Sequence, residues 1–353
     1  MDMFKHRVLD IRKSTFESII SQDIVKGIHE EPRTLPTVLL YSERGLQHYD
    51  RHSHAPGYYL RHEEIRILKN QAHSIANSIE NKSVIVDLGS ASLDKVILLL
   101  EALEAAEKEV TYFALDLCHK ELVSTLESIP VNTFKHVRCA ALHGTFDDGL
   151  EWMRTCPEIR DLPKCVLFLG STIGNFSRRN AATFLNQIAL KALTRTPSQS
   201  SIIVTIDGCK LPTKVLHAYT GDGVGPFTLA GLQYASSILA EETTSTISTF
   251  NAEDWVTMSE WNSTLGRYEG SYMPKANDIQ LGPPFENITI KKTEKIRFVY
   301  SHKYDVNERN ALFEGAGLQE VNSWTEGDCD LVPYESGECA HEHRKERRSG
   351  FRI

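Results

Sequence analysis

The chain has seven cysteines (Cys118, Cys139, Cys156, Cys165, Cys209, Cys329 and Cys339) but no CxxC pair among them. Several lie in apolar, strand-like contexts such as Lys164-Cys-Val-Leu-Phe-Leu169, so they read as reduced thiols of an intracellular protein and not as a disulfide framework. Long hydrophobic runs are missing too. None approaches the ~20 residues that a membrane helix needs, and the N-terminal MDMFKHRVLD has no signal-peptide core. The expectation is a soluble cytoplasmic protein with no membrane partner. An excess of positive charge is missing as well. A net charge of −8 over 353 residues argues against binding nucleic acid through a basic face. Hydrophobic content of 41% and charged content of 24% are ordinary for a globular protein, and the length suits two domains or one large decorated domain.

Glycine is scarce at one informative place. Val84-Ile-Val-Asp-Leu-Gly-Ser-Ala-Ser-Leu-Asp-Lys95 reads as a buried strand, a tight turn at Gly89 and then a helix with apolar residues at Val96, Leu99, Leu100 and Leu103. Such a corner lets a ligand approach the backbone and offers the unpaired N–H groups of a helix start. A dinucleotide site needs three glycines at fixed spacing for its pyrophosphate, and only Gly89 is present. The corner therefore suits a nucleoside without a diphosphate, of which S-adenosylmethionine is the commonest. A second apolar strand, Val110-Thr-Tyr-Phe-Ala-Leu-Asp116, ends in a carboxylate placed to accept hydrogen bonds from both ribose hydroxyls. The competing role for Asp116 is to cap the next helix.

Strand-like and helix-like runs alternate between about 84 and 207, which predicts a mostly parallel sheet covered on both faces. Residues 1–70 show no parallel-sheet unit and are assigned to the first part of a substrate domain, with the core at 71–207. Glycine turns (Gly221, Gly223, Gly225) and an aromatic group (Trp255, Trp261, Tyr268, Tyr272) mark 208–290 as an insertion completing that domain. The chain is expected to rejoin the main sheet at Glu294–Tyr304, so 291–335 completes the core. Pro333 cannot donate to a central ladder and predicts a broken last strand. Residues 336–353, dense in charge, are expected to form a solvated tail.

Phe168-Leu-Gly-Ser-Thr-Ile-Gly-Asn-Phe176 leads from a strand into a turn that presents Ser171, Thr172 and Asn175 at the sheet's carboxyl edge. An Asn there can accept from an amine and donate to a carboxylate, which suits an amino-acid substrate, or it can serve the turn itself. Lys95, at the glycine corner, is either a solvated helix charge or a partner for the carboxylate of a methionine moiety. Tyr219, in Ala218-Tyr-Thr-Gly-Asp-Gly223, sets a phenol beside flexible backbone. Asp50-Arg-His-Ser-His54 alternates His and Asp but has no second ligand group at site-forming spacing, so it reads as a polar turn and no metal is expected.

Leu40-Tyr-Ser-Glu-Arg-Gly45, Gly57-Tyr-Tyr-Leu-Arg61, Asp87-Leu-Gly-Ser90, Phe168-Leu-Gly-Ser-Thr-Ile-Gly-Asn175 and Ser301-His-Lys-Tyr304 resemble, in this order, the histidine-specific methyltransferase-like family. The resemblance runs from about residue 10 to 328, and the FLGSTIGN string is its most specific part. Leu35-Pro36, His143-Gly-Thr-Phe-Asp-Asp-Gly-Leu150 and Ala218-Tyr-Thr-Gly-Asp-Gly223 look closest to its fungal branch, which methylates 4-dimethylallyltryptophan in ergot alkaloid synthesis. It implies a doubly wound α/β class I (Rossmann-like) methyltransferase core with a second substrate domain, using S-adenosylmethionine on a small amino-acid substrate. By position it gives Tyr41, Gly89, Lys95 and Asp116 to the cofactor, with Thr145 and Phe146 flanking its adenine. Tyr58, Asn175 and Tyr219 would hold the substrate's amino and carboxylate groups. Ser301 matches a serine that grips the imidazole in the histidine enzymes, whereas their neighbouring Glu is Val299 here and a pocket-closing Met is Gly270. The first change removes the partner of a polar ring, and the second is expected to open space. Losing a charge-assisted hydrogen bond would disfavour histidine by roughly 1.5–3 kcal/mol. Tryptophan or histidine as substrate, and a cofactor-binding homologue without turnover, stay open. Nothing in the sequence sets an oligomeric state.

Overall fold

Uninterrupted apolar runs become strands buried on both faces. In chain order the strands are β1 (Val8–Asp10), β2 (Val84–Leu88), β3 (Val110–Asp116), β4 (Val137–His143), β5 (Lys164–Phe168), β6 (Ser201–Asp207), β7 (Trp255–Asn262), β8 (Arg267–Pro274), β9 (Ile279–Gln280), β10 (Thr289–Ile290), β11 (Ile296–His302), β12 (Leu318–Ser323) and β13 (Leu331–Glu338). They come from a computed structural model that describes residues 6–90, 93–129, 133–243 and 248–338. The chain divides into two units. One comprises Met1–Arg12, Glu63–Gly208 and Tyr304–Ile353, the other Lys13–His62 and Cys209–Lys303.

The first unit is a doubly wound α/β sheet of eight strands, ordered β1-β4-β3-β2-β5-β6-β13-β12. Its strands from β1 to β6 run parallel, and β13 and β12 close the far edge as an antiparallel pair. Every residue of β2 and β5 is buried, as helices on both sheet faces require. Val86, Phe113, Val166 and Val204 lie in one core with Leu185, Ile188, Leu312 and Phe313 of the helices Arg178–Ile188 and Val306–Ala316. The first strand was not expected within residues 1–70, because three half-exposed residues are too few to show a period.

Pro333 does not break the sheet. It lies in β13 opposite Thr205 of β6, and its carbonyl accepts from the backbone N of Trp324 on the other side, at 3.1 Å. In an antiparallel pair a residue's N–H and C=O face the same neighbour. The missing donor therefore points past the last β12–β13 pair, Ser323 with Tyr334, and costs no bond to β6. Residues 336–338 of the expected tail belong to this strand, and 339–353 lie outside the described residues.

The second unit holds a further correction. Residues 296–302 do not rejoin the main sheet. They form β11, which pairs antiparallel with β8, and β8 pairs with β7 in a separate sheet of three strands. In β11, Ile296 and Phe298 are buried while Arg297, Val299 and Tyr300 are not, the mark of a half-solvated antiparallel strand and unlike the solid runs of β2 and β5. The unit's core sets Ile20, Ile24 and Ile28, one face of helix Phe16–His29, with Leu232, Ala235 and Leu239 of helix Val224–Thr243 and Phe298 of β11.

Candidate functional site

In the first unit the strand order reverses between β2 and β5, since the chain passes from β2 to β3 and β4 on one side and from β5 to β6 on the other. Connections diverge at such a point and leave a crevice at the strands' carboxyl ends. Two glycines line it. Gly89 follows β2 with φ +80°, its N–H bonded to Leu115 O at 2.9 Å, and a Cβ there would lie 3.6 Å from the ring of Phe146. Gly170 follows β5 with φ +73°, and Ser171 is also left-handed at φ 55°. The Ser171 hydroxyl is buried without a hydrogen-bond partner.

Carboxylates lie at and beneath this strand edge. Glu64, fully buried on helix Tyr59–Ser78, accepts from the Gly170 backbone N and from Thr205 Oγ1 at 2.7 Å each through one oxygen. Its other oxygen takes Lys95 Nζ at 2.7 Å. Burial alone would raise this carboxyl, but the Lys95 charge and the hydrogen bonds from Lys95, Gly170 and Thr205 outweigh it and hold Glu64 below its ordinary value. Asp87 goes the other way. Burial pushes it up to about 6, against the hydrogen bonds of Ser90 and of Tyr112, whose hydroxyl lies 2.9 Å from Asp87 Oδ2. Asp116 is raised to about 6 by burial as well, although Cys118 N donates to its Oδ1 at 3.0 Å.

Of the residues expected in this unit, Gly89, Asp116 and Phe146 come together at the sheet's carboxyl edge. Lys95 is there also, with its charge directed to Glu64. Thr145 caps helix Phe146–Thr155, its hydroxyl accepting from Asp148 N at 3.1 Å and donating to Asp148 Oδ2 at 2.8 Å, a reciprocal cap that positions Phe146. Asn175 ends the 3-10 turn Thr172–Asn175 after β5, half-buried.

The second unit assembles a chain of aromatic rings. Tyr41 meets Tyr49 at 5.9 Å, Tyr49 meets Tyr58 at 6.3 Å, Tyr58 meets Tyr219 at 6.1 Å, and Tyr219 stacks on Tyr268 at 4.2 Å and 12°. Burial, with the neighbouring tyrosines, lifts the Tyr58 phenol well above its ordinary value, and burial pushes Tyr268 up to about 12, so both remain neutral donors. Ser301 Oγ accepts from Tyr219 Oη at 3.1 Å. His52 is not part of a polar turn. It ends helix Glu43–Ser53, buried with its ring 4.7 Å from that of Tyr58. Among the described residues no group of three or more His, Cys, Asp or Glu could hold a metal ion.

Gly270 opens no room. A Cβ on it would meet Val299 Cγ1 at 2.8 Å, Phe298 Cζ at 2.9 Å and Tyr268 Oη at 3.0 Å. A bulge between Arg297 and Val299 brings both side chains of β11 against β8 at this point. Gly270 and Val299 thus form one packing solution, with glycine at 270 making way for valine at 299. Gly270→Ala is expected to destabilise the protein by about 1–3 kcal/mol through overpacking, and Gly270→Ala/Val299→Ala to recover part of that, since the Phe298 and Tyr268 contacts remain. Urea titration of both variants checks it, and an unaffected single variant would refute the coupling.

Three residues of these clusters carried no expectation. Glu64 lies four residues after Leu60 and three before Ile67, on the apolar face of its helix, and a carboxylate there was the available signal. Lys303 is two residues beyond Ser301 and shares its side of the extended chain. Tyr49 gave no signal beyond its type.

A family model described as histidine-specific methyltransferase, SAM-dependent, matches residues 20–335. The 4-dimethylallyltryptophan N-methyltransferases easF of Arthroderma benhamiae and Aspergillus fumigatus are each 54% identical to this chain, over 329 and 328 residues, covering 93% of it and 96% of their own lengths. The 4-dimethylallyltryptophan N-methyltransferase ifgB of Penicillium roqueforti is 49% identical over 339 residues, covering 96% of this chain and 99% of its own.

Proposed function

The chain belongs to the S-adenosylmethionine-dependent, histidine-specific methyltransferase family, and we propose that it methylates the α-amino nitrogen of 4-dimethylallyl-L-tryptophan, a step of ergot alkaloid biosynthesis, in the cytoplasm. The observation that carries this reading is near-full-length identity of 49–54% to N-methyltransferases named for that substrate. The dispersed cysteines fit a reducing compartment, and no helix among the described residues is long and apolar enough to cross a membrane.

The first unit's residues fit the cofactor. Side-chain-free backbone at Gly89 and Gly170, the unpartnered Ser171 hydroxyl and the Asp116 carboxylate make a cradle for a nucleoside that lacks a diphosphate. S-adenosylmethionine, when bound, supplies a methyl group already activated on a sulfonium. Asp116 would take the ribose hydroxyls, Gly89 the close approach of the backbone, and Phe146, seated by Thr145, one face of the adenine. Tyr41 would add a further cofactor contact. Lys95 acts through the Gly170 turn, because its charge holds the Glu64 carboxylate that accepts from the Gly170 N–H.

For the substrate, Asn175 would orient the amine, while Tyr58 and Tyr219 would donate to the carboxylate. Val299 presents hydrocarbon where a polar ring would need an acceptor, and that supports an indole over an imidazole. The protein's work is alignment and desolvation of a neutral amine.

Incubation with S-adenosylmethionine and, separately, 4-dimethylallyltryptophan, tryptophan and histidine, read by mass spectrometry, tests the reading. Gain of one methyl on the prenylated substrate alone is expected. Methylation of histidine, or no methylation with cofactor binding intact, refutes it. Asn175→Ala is expected to lower kcat/KM by about 10- to 100-fold, with the cofactor Kd unchanged. Unchanged turnover would remove Asn175 from the site.

A further inference from the structure

We propose that Lys303 is a positioning residue that turns Tyr219 and Ser301 into a hydrogen-bond donor for the substrate's carboxylate, an inference that rests on the amino-acid substrate proposed above. Lys303 is fully buried just beyond β11. Its Nζ donates to Ser301 Oγ at 3.1 Å and to Tyr219 Oη at 3.2 Å, and lies 5.0 Å from the centre of the Tyr219 ring. Backbone bonds fix it on both sides, from Lys303 N to Gly266 O at 3.0 Å and from Lys210 Nζ to Lys303 O at 2.6 Å. The Tyr219 ring is fixed in turn by its stack on Tyr268, whose hydroxyl lies 3.0 Å from Ser259 Oγ.

Counting protons gives the cluster its polarity. Ser301 Oγ receives the Lys303 ammonium and the Tyr219 hydroxyl, which occupies both of its lone pairs. Its own proton must then point away from both partners. If Ser301 donates to Tyr219 instead, the Tyr219 Oη accepts from Ser301 and Lys303, and the phenolic proton points outward. Either way the triangle keeps one free donor, three of its four lone pairs are taken, and the one left over is on an oxygen that already accepts from the Lys303 ammonium. An ammonium brought to that lone pair is repelled by Lys303, and an indole N–H would leave the free donor unmatched. A neutral amine has one lone pair, and that pair is the nucleophile. The carboxylate is the remaining acceptor on an α-amino acid, and the ammonium one hydrogen bond behind the donor favours an anion there. Without the lysine, the serine and tyrosine hydroxyls could pair as donor and acceptor in either direction, and the polarity would be lost.

The test compares the acid with its methyl ester, which keeps the ring, the prenyl group and the amine but has no carboxylate. Binding of 4-dimethylallyltryptophan and of its methyl ester is measured by calorimetry on the full chain with S-adenosylhomocysteine present, and kcat and KM are measured alongside. The wild type is expected to prefer the acid. Lys303→Met should weaken the acid by about 10- to 100-fold and the ester by less than about threefold, so that the preference collapses. Lys303→Arg should restore part of it. Ser301→Ala, a smaller change to the packing, should reduce the preference by about tenfold, which keeps the test available if Lys303→Met does not fold. Equal losses on acid and ester in Lys303→Met, or a wild type with no preference, would overturn the assignment. An acid preference that collapses in the variants of a protein that transfers no methyl group would uphold it and refute the proposed reaction.

Discussion

Replacing Lys95 by methionine is expected to lower the stability of the first unit by about 3–5 kcal/mol at neutral pH, because it leaves Glu64 buried without its counter-charge. Glu64 is held from three directions, and two of them, Gly170 N and Thr205 Oγ1, are neutral donors that survive the substitution. The Lys95 side chain keeps 23% of its exposure against 1% for Glu64, so the lysine loses less hydration on folding than the carboxylate does. The sign of the pH dependence follows from the direction of the shift. In the wild type the Glu64 carboxyl is held below its ordinary 4.5, so its stabilising contribution is present above that value and is lost as the pH falls through the folded one. In the variant, burial is opposed only by the two neutral donors and the carboxyl rises. The stability gap between variant and wild type should therefore be widest near pH 7 and narrow toward pH 4. Urea denaturation at a series of pH values measures it. The double variant Glu64→Gln/Lys95→Met should recover much of the loss, since Gln keeps a carbonyl oxygen for Gly170 and Thr205. A single-variant loss below about 1 kcal/mol would place the pair among ordinary surface ion pairs and free Lys95 for the cofactor role that its position first suggested.

Lys95 also marks where sequence reading reached its limit. The central strands were legible because burial on both faces writes an unbroken apolar run, as in Val84–Val86 and Val166–Phe168, and Gly89 was legible because a left-handed turn has few other solutions. The buried Glu64 was not, since Arg61-His-Glu-Glu-Ile65 looks solvated unless the helix is phased by Leu60, Ile67 and Leu68. The departure of β11 from the main sheet was hidden for a related reason. Arg297-Phe-Val-Tyr-Ser301 can pair with any partner that leaves one face wet, and the choice of β8 is fixed only by tertiary register. At Gly270 the sequence shows only that a side chain is missing. What fills the space beside it, Val299 and Phe298, follows from a bulge that no local pattern announces.

The affinity for S-adenosylmethionine is expected to fall as the pH drops through about 6, and Asp116→Asn is expected to remove that dependence together with about 10- to 100-fold of the affinity. Burial raises the free Asp116 carboxyl to about 6, despite the hydrogen bond from Cys118 N and in the company of the Glu121 and Asp87 carboxyls. In the proposed site two ribose hydroxyls would donate to its ionised form, and binding would then pull the carboxyl back down. Below about pH 6 the protein then has to release a proton to bind, and the Kd should rise by up to tenfold per pH unit until the bound form also protonates. Asp87 titrates in the same range but spends its hydrogen bonds on Tyr112 and Ser90, so a slope that it causes would persist in Asp116→Asn. A slope that disappears belongs to Asp116. The opposing role, that Asp116 only anchors the turn into helix His119–Glu127 through Cys118 N, predicts a different pair of results. The variant would lose thermal stability and keep its cofactor affinity at every pH. Calorimetric titration at pH 5, 6, 7 and 8 on both proteins separates the two, because a cap contributes to folding and a ribose ligand to binding.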